Sequence, residues 1–280
     1  MAEASKKLAE LVGRMPDPDD RGLYCTNIDK EKIESAIAEI HKGGRDNIVG
    51  VIDMLVEPGK GDDVKAHYAL HCLGLHVCKL DDNARRRFAR TVGSQIGGDR
   101  PKAVQKYLIE ELQAFGGKEV VKALGSLLAD KDLCEPAAMA LVAIGSGAAE
   151  QLRAALPGAK GKRRLTIIQN LGVVRDAESV GALREAVGDD DRDIRIAATW
   201  GLANIGDAGS AELVVKAADK SEGWERIQAT KACLLLAEKL VGSGRQRDAG
   251  RIYRHLRETR SDPAEKYIQD AVKSALAKAR

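Results

Sequence analysis

One recurring pattern limits what this 280-residue chain can fold into. The runs ELQAFG (111–116), ALVAIG (140–145), NLGVVR (170–175) and GLANIG (201–206) align without gaps. Their leucines, Leu112, Leu141, Leu171 and Leu202, follow one another at steps of 29, 30 and 31 residues. Three residues after each leucine stands Phe115, Ile144, Val174 or Ile205, and four before it Leu108, Ala137, Ile167 or Ala198. Offsets of −4, 0 and +3 share one face of a helix but not of a strand. Three of the four runs end in Gly, which takes a left-handed C-cap at no steric cost. A second apolar segment follows each stop: Val120, Leu124, Leu127 and Leu128, then Leu152 and Leu156, then Val180, Leu183 and Val187, then Ala211, Val214 and Ala218. Asp176 and Asp207 stand where an N-cap is wanted. Each unit of about thirty residues is therefore read as two antiparallel helices, and because neither buries its apolar face alone, neighbouring pairs must stack.

Extended outward, the rhythm predicts seven helix pairs: 45–57 with 62–79, 82–96 with 100–115, 117–129 with 132–145, 147–156 with 161–174, 176–188 with 191–205, 207–219 with 222–240 and 245–259 with 262–279. The last helix opens on Asp262-Pro263-Ala264-Glu265, a cap, a first-turn Pro and a Glu placed to complete a capping box. Helices over 4–14 and 28–43, separated by the Pro/Asp loop Met15–Asp20, precede the pairs as an irregular N-terminal cap. No strands are expected. No Pro/Gly/Ser-rich linker divides the chain, so residues 1–44 read as capping helices and 45–280 as one continuous all-α, α-α superhelix domain.

Composition removes several functions. Against 45 Lys and Arg stand 42 Asp and Glu, and a net charge of +3 does not by itself call for nucleic acid or a membrane. Two Trp, two Phe and five Tyr are too few for a stacking platform under single-stranded nucleic acid. No apolar run approaches a membrane span, the N-terminus lacks the apolar region of a signal peptide, and five cysteines are an odd number. A cytoplasmic protein with reduced thiols is the simplest expectation.

The run Asp191–Ala208, DRDIRIAATWGLANIGDA, resembles a HEAT repeat of the short phycobilisome-lyase-like type. The resemblance rests on an acidic turn (Asp191), Ile194 with Arg195, Ala197 with Ala198, Leu202, Ile205 with Gly206, and Asp207. Residues 161–176 keep Arg164, Leu171, Val174 and Asp176 but carry Arg175 where the family has Gly. It is specific over 100–219 and implies an α-solenoid scaffold; bilin lyase activity does not follow from it. Helical geometry places Arg164 and Arg195 close to the buried side, with their heads expected to pair with turn aspartates such as Asp191 or Asp193, and the resemblance implies that such arginines form a ladder between repeats.

Among candidate sites, His67, His71, Cys72, His76 and Cys78 form the densest set of metal-ligand types. His67 and His71 are one turn apart on a shared face, but Cys78 lies about 10 Å further along the helix, out of reach of the same ion. Structural packing is the favoured reading, and no metal or other cofactor is expected. Three basic stretches, 82–90, 151–175 and 245–260, read first as solvated faces and second as a surface for an acidic partner or phosphate backbone. Positions two before the repeat leucines, Glu110, Met139, Gln169 and Trp200, with Tyr107 and Asn204 close to the same line, trace the exposed side of the second helices. Trp200 there is either an interface anchor or a cover over the adjacent helix.

No Gly-rich phosphate loop or nucleophile–base arrangement is visible, so catalysis has no positive support. The leading expectation is a non-catalytic scaffold binding a protein or peptide along the concave face. The alternatives are a nucleic-acid-binding or base-excision protein using the basic stretches and, behind it, a lyase acting on a chromophore-bearing protein.

Overall fold

The repeat leucines are where burial begins. Leu112, Leu141, Leu171 and Leu202 are each 0% exposed in the computed structural model, which describes residues 2–21 and 24–278. Their partners four residues earlier are equally buried, and full burial of each leucine contributes about 1.5–3 kcal/mol. The +3 residues Ile144, Val174 and Ile205 are only half-buried, because they sit on the last turn where each helix leaves its neighbour.

The described residues divide into two compact units, Met1–Gln151 and Leu152–Arg280. The first contains α1 (Ala2–Val12), α2 (Lys30–Lys42), α3 (Gly44–Ile52), α4 (Val64–Leu80), α5 (Asp82–Gly93), α6 (Lys102–Phe115), α7 (Val121–Ser126) and α8 (Cys134–Ile144). Here α2, α4, α6 and α8 pack in series, while α3 lies against α5 and α7 against α8. The α2 helix, expected as part of a cap, thus continues the same layer. The chain passes into the second unit within α9 (Ala148–Ala155). That unit holds α10 (Lys162–Val173), α11 (Val180–Ala186), α12 (Arg192–Ile205), α13 (Ala211–Lys220), α14 (Gly223–Gly242), α15 (Gln246–Thr259) and α16 (Lys266–Lys278). Again the second helices α10, α12 and α14 pack in series, with α11 and α13 against them. The fold is all-α, of the α-α superhelix class.

Several local expectations differ from the structure. A short antiparallel ladder pairs Asp17–Pro18 with Cys25–Thr26, where no strand was expected. Pro16 and Pro18 stop helix growth, and Lys65 fastens the segment through Asp17 (2.7 Å) and the Gly13 carbonyl (3.1 Å). Gly116 is extended (φ −72°) instead of left-handed. Asp176 and Asp207 precede short 3-10 turns but make no capping bond with their side chains, which turn to arginines instead. Asp262 does cap, accepting from the Ala264 amide at 2.8 Å, yet Glu265 completes no box because its carboxylate goes to Arg226.

Candidate functional site

In the second unit, inward positions of α10 and α12 are set by Leu171 and Leu202, which turns the positions two residues earlier outward. Gln169 is exposed there and Trp200 is 36% exposed. The indole lies across the seam between the two helices: a Cβ placed on Gly172 would meet Trp200 Cζ3 at 2.9 Å and the Gly201 Cα at 2.8 Å. Two glycines therefore let the helix backbones approach, and the ring covers their junction while keeping one side in solvent. Asn204 is half-buried and donates from Nδ2 to the Gly172 carbonyl at 2.9 Å, so it holds the same seam closed. Val173, also on α10, is exposed. Of the residues expected on this line, Trp200 and Asn204 meet at Gly172, and Gln169 is exposed on the same helix α10. Tyr107 and Met139 belong to the first unit, on α6 and α8. Met139 is 49% exposed, but Tyr107 is half-buried, with its ring 4.0 Å from that of His67 and its hydroxyl donating to the His67 carbonyl at 2.8 Å.

Ion pairs tie successive elements of the second unit along two lines. From the first helices, Arg153 reaches Asp176 (2.5 Å) and Arg184 reaches Asp207 (2.7 Å). From the second helices, Arg164 reaches Asp189 (3.0 Å), Arg195 reaches Glu225 through two bonds of 2.7 Å, and Arg226 reaches Glu265 through bonds of 2.9 and 3.1 Å. Each partner lies further along the chain, in the next repeat. Neither expected aspartate is the partner of Arg164 or Arg195. Asp191 instead caps α12 by accepting from the Asp193 amide at 2.8 Å, and Asp193 faces Arg192 at 3.4 Å. Sequence reasoning missed Arg226, although its spacing of 31 from Arg195 repeats that from Arg164 to Arg195. The pairing holds the Glu225 carboxyl below its ordinary range and raises the Arg195 guanidinium. At the end of α15, Arg260 is buried (1% exposed) and donates to Asp219 at 2.9 Å.

The histidine-rich face of α4 packs against α6. His71 Nδ1 lies 3.1 Å from Oε1 of Glu111, a residue only 4% exposed, while Oε2 of the same carboxylate has no hydrogen-bond partner. Burial pushes the Glu111 carboxyl up, with His71 opposing, and burial likewise raises the Tyr107 phenol and the Cys72 thiol. His67 pairs instead with Asp63 at 3.2 Å. Among the described residues, no three His, Cys, Asp or Glu side chains are grouped so as to hold a metal ion. Nor is any described helix long and apolar enough to cross a membrane.

Within the basic stretches at least half of the arginines have acidic neighbours. Arg85 pairs with Glu119 (2.7 Å) and Asp82 (2.8 Å), Arg86 with Asp82, and Arg245 and Arg251 with Asp248 (2.9 and 3.7 Å). Arg87 and Arg90 are exposed and form no ion pair among the described residues.

Comparison with known proteins adds a family to this geometry. Residues 149–234 match the family model for HEAT repeats. This HEAT-repeat segment contains α10 to α13 and the start of α14, including the Trp200 seam and the Arg164 and Arg195 pairs. Solved structures similar to the chain include an engineered protein (20% identity over 99% of this chain and 84% of that one, TM-score 0.46). They also include the complex of CpcE and CpcF of phycocyanin lyase from Nostoc sp. PCC7120 (15%, 81% and 94%, TM-score 0.43) and human deoxyhypusine hydroxylase in complex with glycerol (15%, 98% and 96%, TM-score 0.34). No curated protein matches the sequence.

Proposed function

We propose that the protein is a non-catalytic scaffold that holds a protein or peptide partner on the exposed face of its second helices, with Trp200 as anchor. The observation that carries this reading is the Trp200 seam. A large aromatic, 36% exposed, is seated on two helices that Gly172 and Gly201 bring into close contact. A ring held in place before binding loses little rotamer freedom on contact, and buried aromatics supply much of the energy of protein interfaces. Gln169 and Val173 on α10 add a polar and an apolar neighbour on the same helix pair. In the first unit, Met139 and Glu110 occupy the related positions on α8 and α6.

The nucleic-acid alternative is weakened by the fate of the basic stretches. Arg85, Arg86, Arg153, Arg164, Arg245, Arg251 and Arg260 all engage carboxylates, which takes half of the fourteen arginines in these stretches away from a phosphate backbone. The test is affinity capture from the native cell extract with wild type, Trp200→Ala and Arg251→Ala, followed by mass spectrometry and a binding titration. Truncating the anchor should remove about 2 kcal/mol, some thirtyfold in affinity, while Arg251→Ala changes little. A Trp200→Ala protein that is destabilised yet binds normally would rule the anchor out. Binding that weakens steeply with added salt and ignores Trp200 would favour the phosphate reading.

A further inference from the structure

A cavity of about 370 Å³ opens in the first unit where α3, α4 and α5 meet. Its floor is apolar and buried, formed by Ile48, Val77 and Phe88. Its rim carries three guanidinium groups, Arg45 from the start of α3 and Arg87 and Arg90 from α5. All three are exposed, and none forms an ion pair or side-chain hydrogen bond among the described residues. This contrasts with the preceding arginines of α5, because Asp82 is taken by Arg85 and Arg86 and Asp81 caps the helix through the Ala84 amide at 2.7 Å. Two of the free arginines are three residues apart and so project from one side of α5. The third comes from more than 40 residues earlier in the chain, so their convergence is a product of the fold.

Three like charges around one opening repel one another, and a bound anion relieves that repulsion. Guanidinium forks match phosphate oxygens two at a time, which a compact ammonium does not. The cavity holds more space than an inorganic ion fills, while Ile48, Val77 and Phe88 at its base are already almost sealed from water (5%, 1% and 0% exposed). A ligand that fits carries its charge at one end and a small organic body at the other. The volume lies in the range of small-molecule sites, roughly 300–1,000 Å³.

We propose that this pocket binds a small organic phosphate, its phosphoryl group held by Arg45, Arg87 and Arg90 and its organic body filling the rest of the cavity. The site is separate from the Trp200 face, and it stands or falls independently of the scaffold reading.

The experiment titrates the full chain with phenyl phosphate, inorganic phosphate and phenol by calorimetry and amide NMR. Phenyl phosphate should bind one to one, at least about tenfold tighter than either fragment at about 50 mM salt, with shifts centred on Phe88 and Thr91. Arg87→Gln, and Arg45→Gln combined with Arg90→Gln, should each weaken it by about tenfold or more, while Arg251→Gln leaves it unchanged. Arg90→Lys keeps the charge but loses the fork; it too should weaken binding, and melting curves of every variant confirm folding. The proposal is overturned if phenyl phosphate binds no tighter than inorganic phosphate, or if Arg87→Gln binds it normally. It is also overturned if a single-stranded DNA oligomer binds tighter than phenyl phosphate with a steep salt dependence, since the arginines would then belong to a nucleic-acid surface.

Discussion

Arg195 on α12 grips Glu225 on α14 with two parallel bonds, Nε to Oε1 and Nη2 to Oε2, each 2.7 Å long. Its remaining nitrogen, Nη1, donates to the carbonyls of Asp189 and Asp190, both at 3.0 Å. One side chain thus closes the entry turn of its own helix and binds the next repeat. Its two partners make separable contributions. A double-mutant cycle between Arg195→Gln and Glu225→Gln should give a coupling energy of about 1 kcal/mol, above most exposed pairs because the geometry is bidentate. Arg195→Gln should cost more than Glu225→Gln, since it also leaves two carbonyls without their donor. Urea unfolding of the four proteins measures both quantities.

Glu225 also fixes a sign in acid. Arg195 holds its carboxyl below the ordinary value of 4.5, so between the folded and unfolded values the unfolded chain carries the extra proton. Stability from this pair is fully present above about pH 4.5 and is lost as pH falls through the lower, folded value. A Glu225→Gln protein should therefore show a flatter loss of stability below about pH 4.5 than wild type. Equal slopes would exclude the pair as a contributor.

Glu111 runs the other way. Burial raises its carboxyl above 4.5, so the folded state is the one that keeps the proton as pH rises. The favourable contribution is complete below about pH 4.5 and is lost as pH climbs through the raised folded value. Replacing it by Gln removes this dependence. Melting temperatures of Glu111→Gln relative to wild type should accordingly improve between pH 4 and pH 7, and a difference that is constant with pH would contradict it.

The helices were legible because the apolar spacing around Leu112, Leu141, Leu171 and Leu202 repeats at nearly constant steps, and period alone sets a buried face. What lay between helices was not legible. Spacing puts Trp200 on the outward side but says nothing of Gly172 lying under its ring, since that depends on how closely two backbones approach. The partners of Arg164 and Arg195 were misjudged for a related reason. A local reading of Arg195 looks to the nearby Asp191 and Asp193, whereas its long side chain reaches the next repeat at Glu225, as that of Arg164 does at Asp189. Glu111 sits beside Leu112 in sequence, and only the packing of α4 on α6 buries it. Arg45 joins Arg87 and Arg90 through the fold alone, although the basic stretch holding the latter two was plain.

Arg175 occupies the helix-ending position that Gly206 fills one repeat later, and both have positive φ, 54° and 81°. A side chain with a Cβ is strained there, and the exposed guanidinium of Arg175 makes no hydrogen bond or ion pair among the described residues to offset it. Arg175→Gly should stabilise the protein by about 0.5–1 kcal/mol, the relief exceeding the extra freedom that Gly gives the unfolded chain. Loss of stability in chemical denaturation would show that the arginine has a packing role.

Leu171 and Leu202 are 0% exposed at equivalent places in α10 and α12. Truncating either to Ala should cost about 2–5 kcal/mol, and a change below about 1 kcal/mol would mean that the helical register is misassigned.

The closest helix approach gives the sharpest contrast between two similar changes. A Cβ on Gly172 would lie 2.8 Å from the Gly201 Cα and 2.9 Å from the Trp200 ring, whereas one on Gly201 meets nothing nearer than 3.4 Å. Both substitutions gain helix propensity, worth up to about 1 kcal/mol. Gly172→Ala must also push the backbones apart or lift the indole, an overpacking cost of about 1–3 kcal/mol. It should therefore be neutral to destabilising, while Gly201→Ala is neutral to stabilising by as much as about 1 kcal/mol. With Trp224 replaced by Phe, the emission of Trp200 reports the ring directly. Gly172→Ala should shift that emission to the red and Gly201→Ala should leave it in place. If the partner is held by a ring pre-seated on the seam, Gly172→Ala will weaken binding and Gly201→Ala will not. Identical behaviour of the two variants in melting and emission would mean that the α10–α12 contact is looser than the glycine geometry requires.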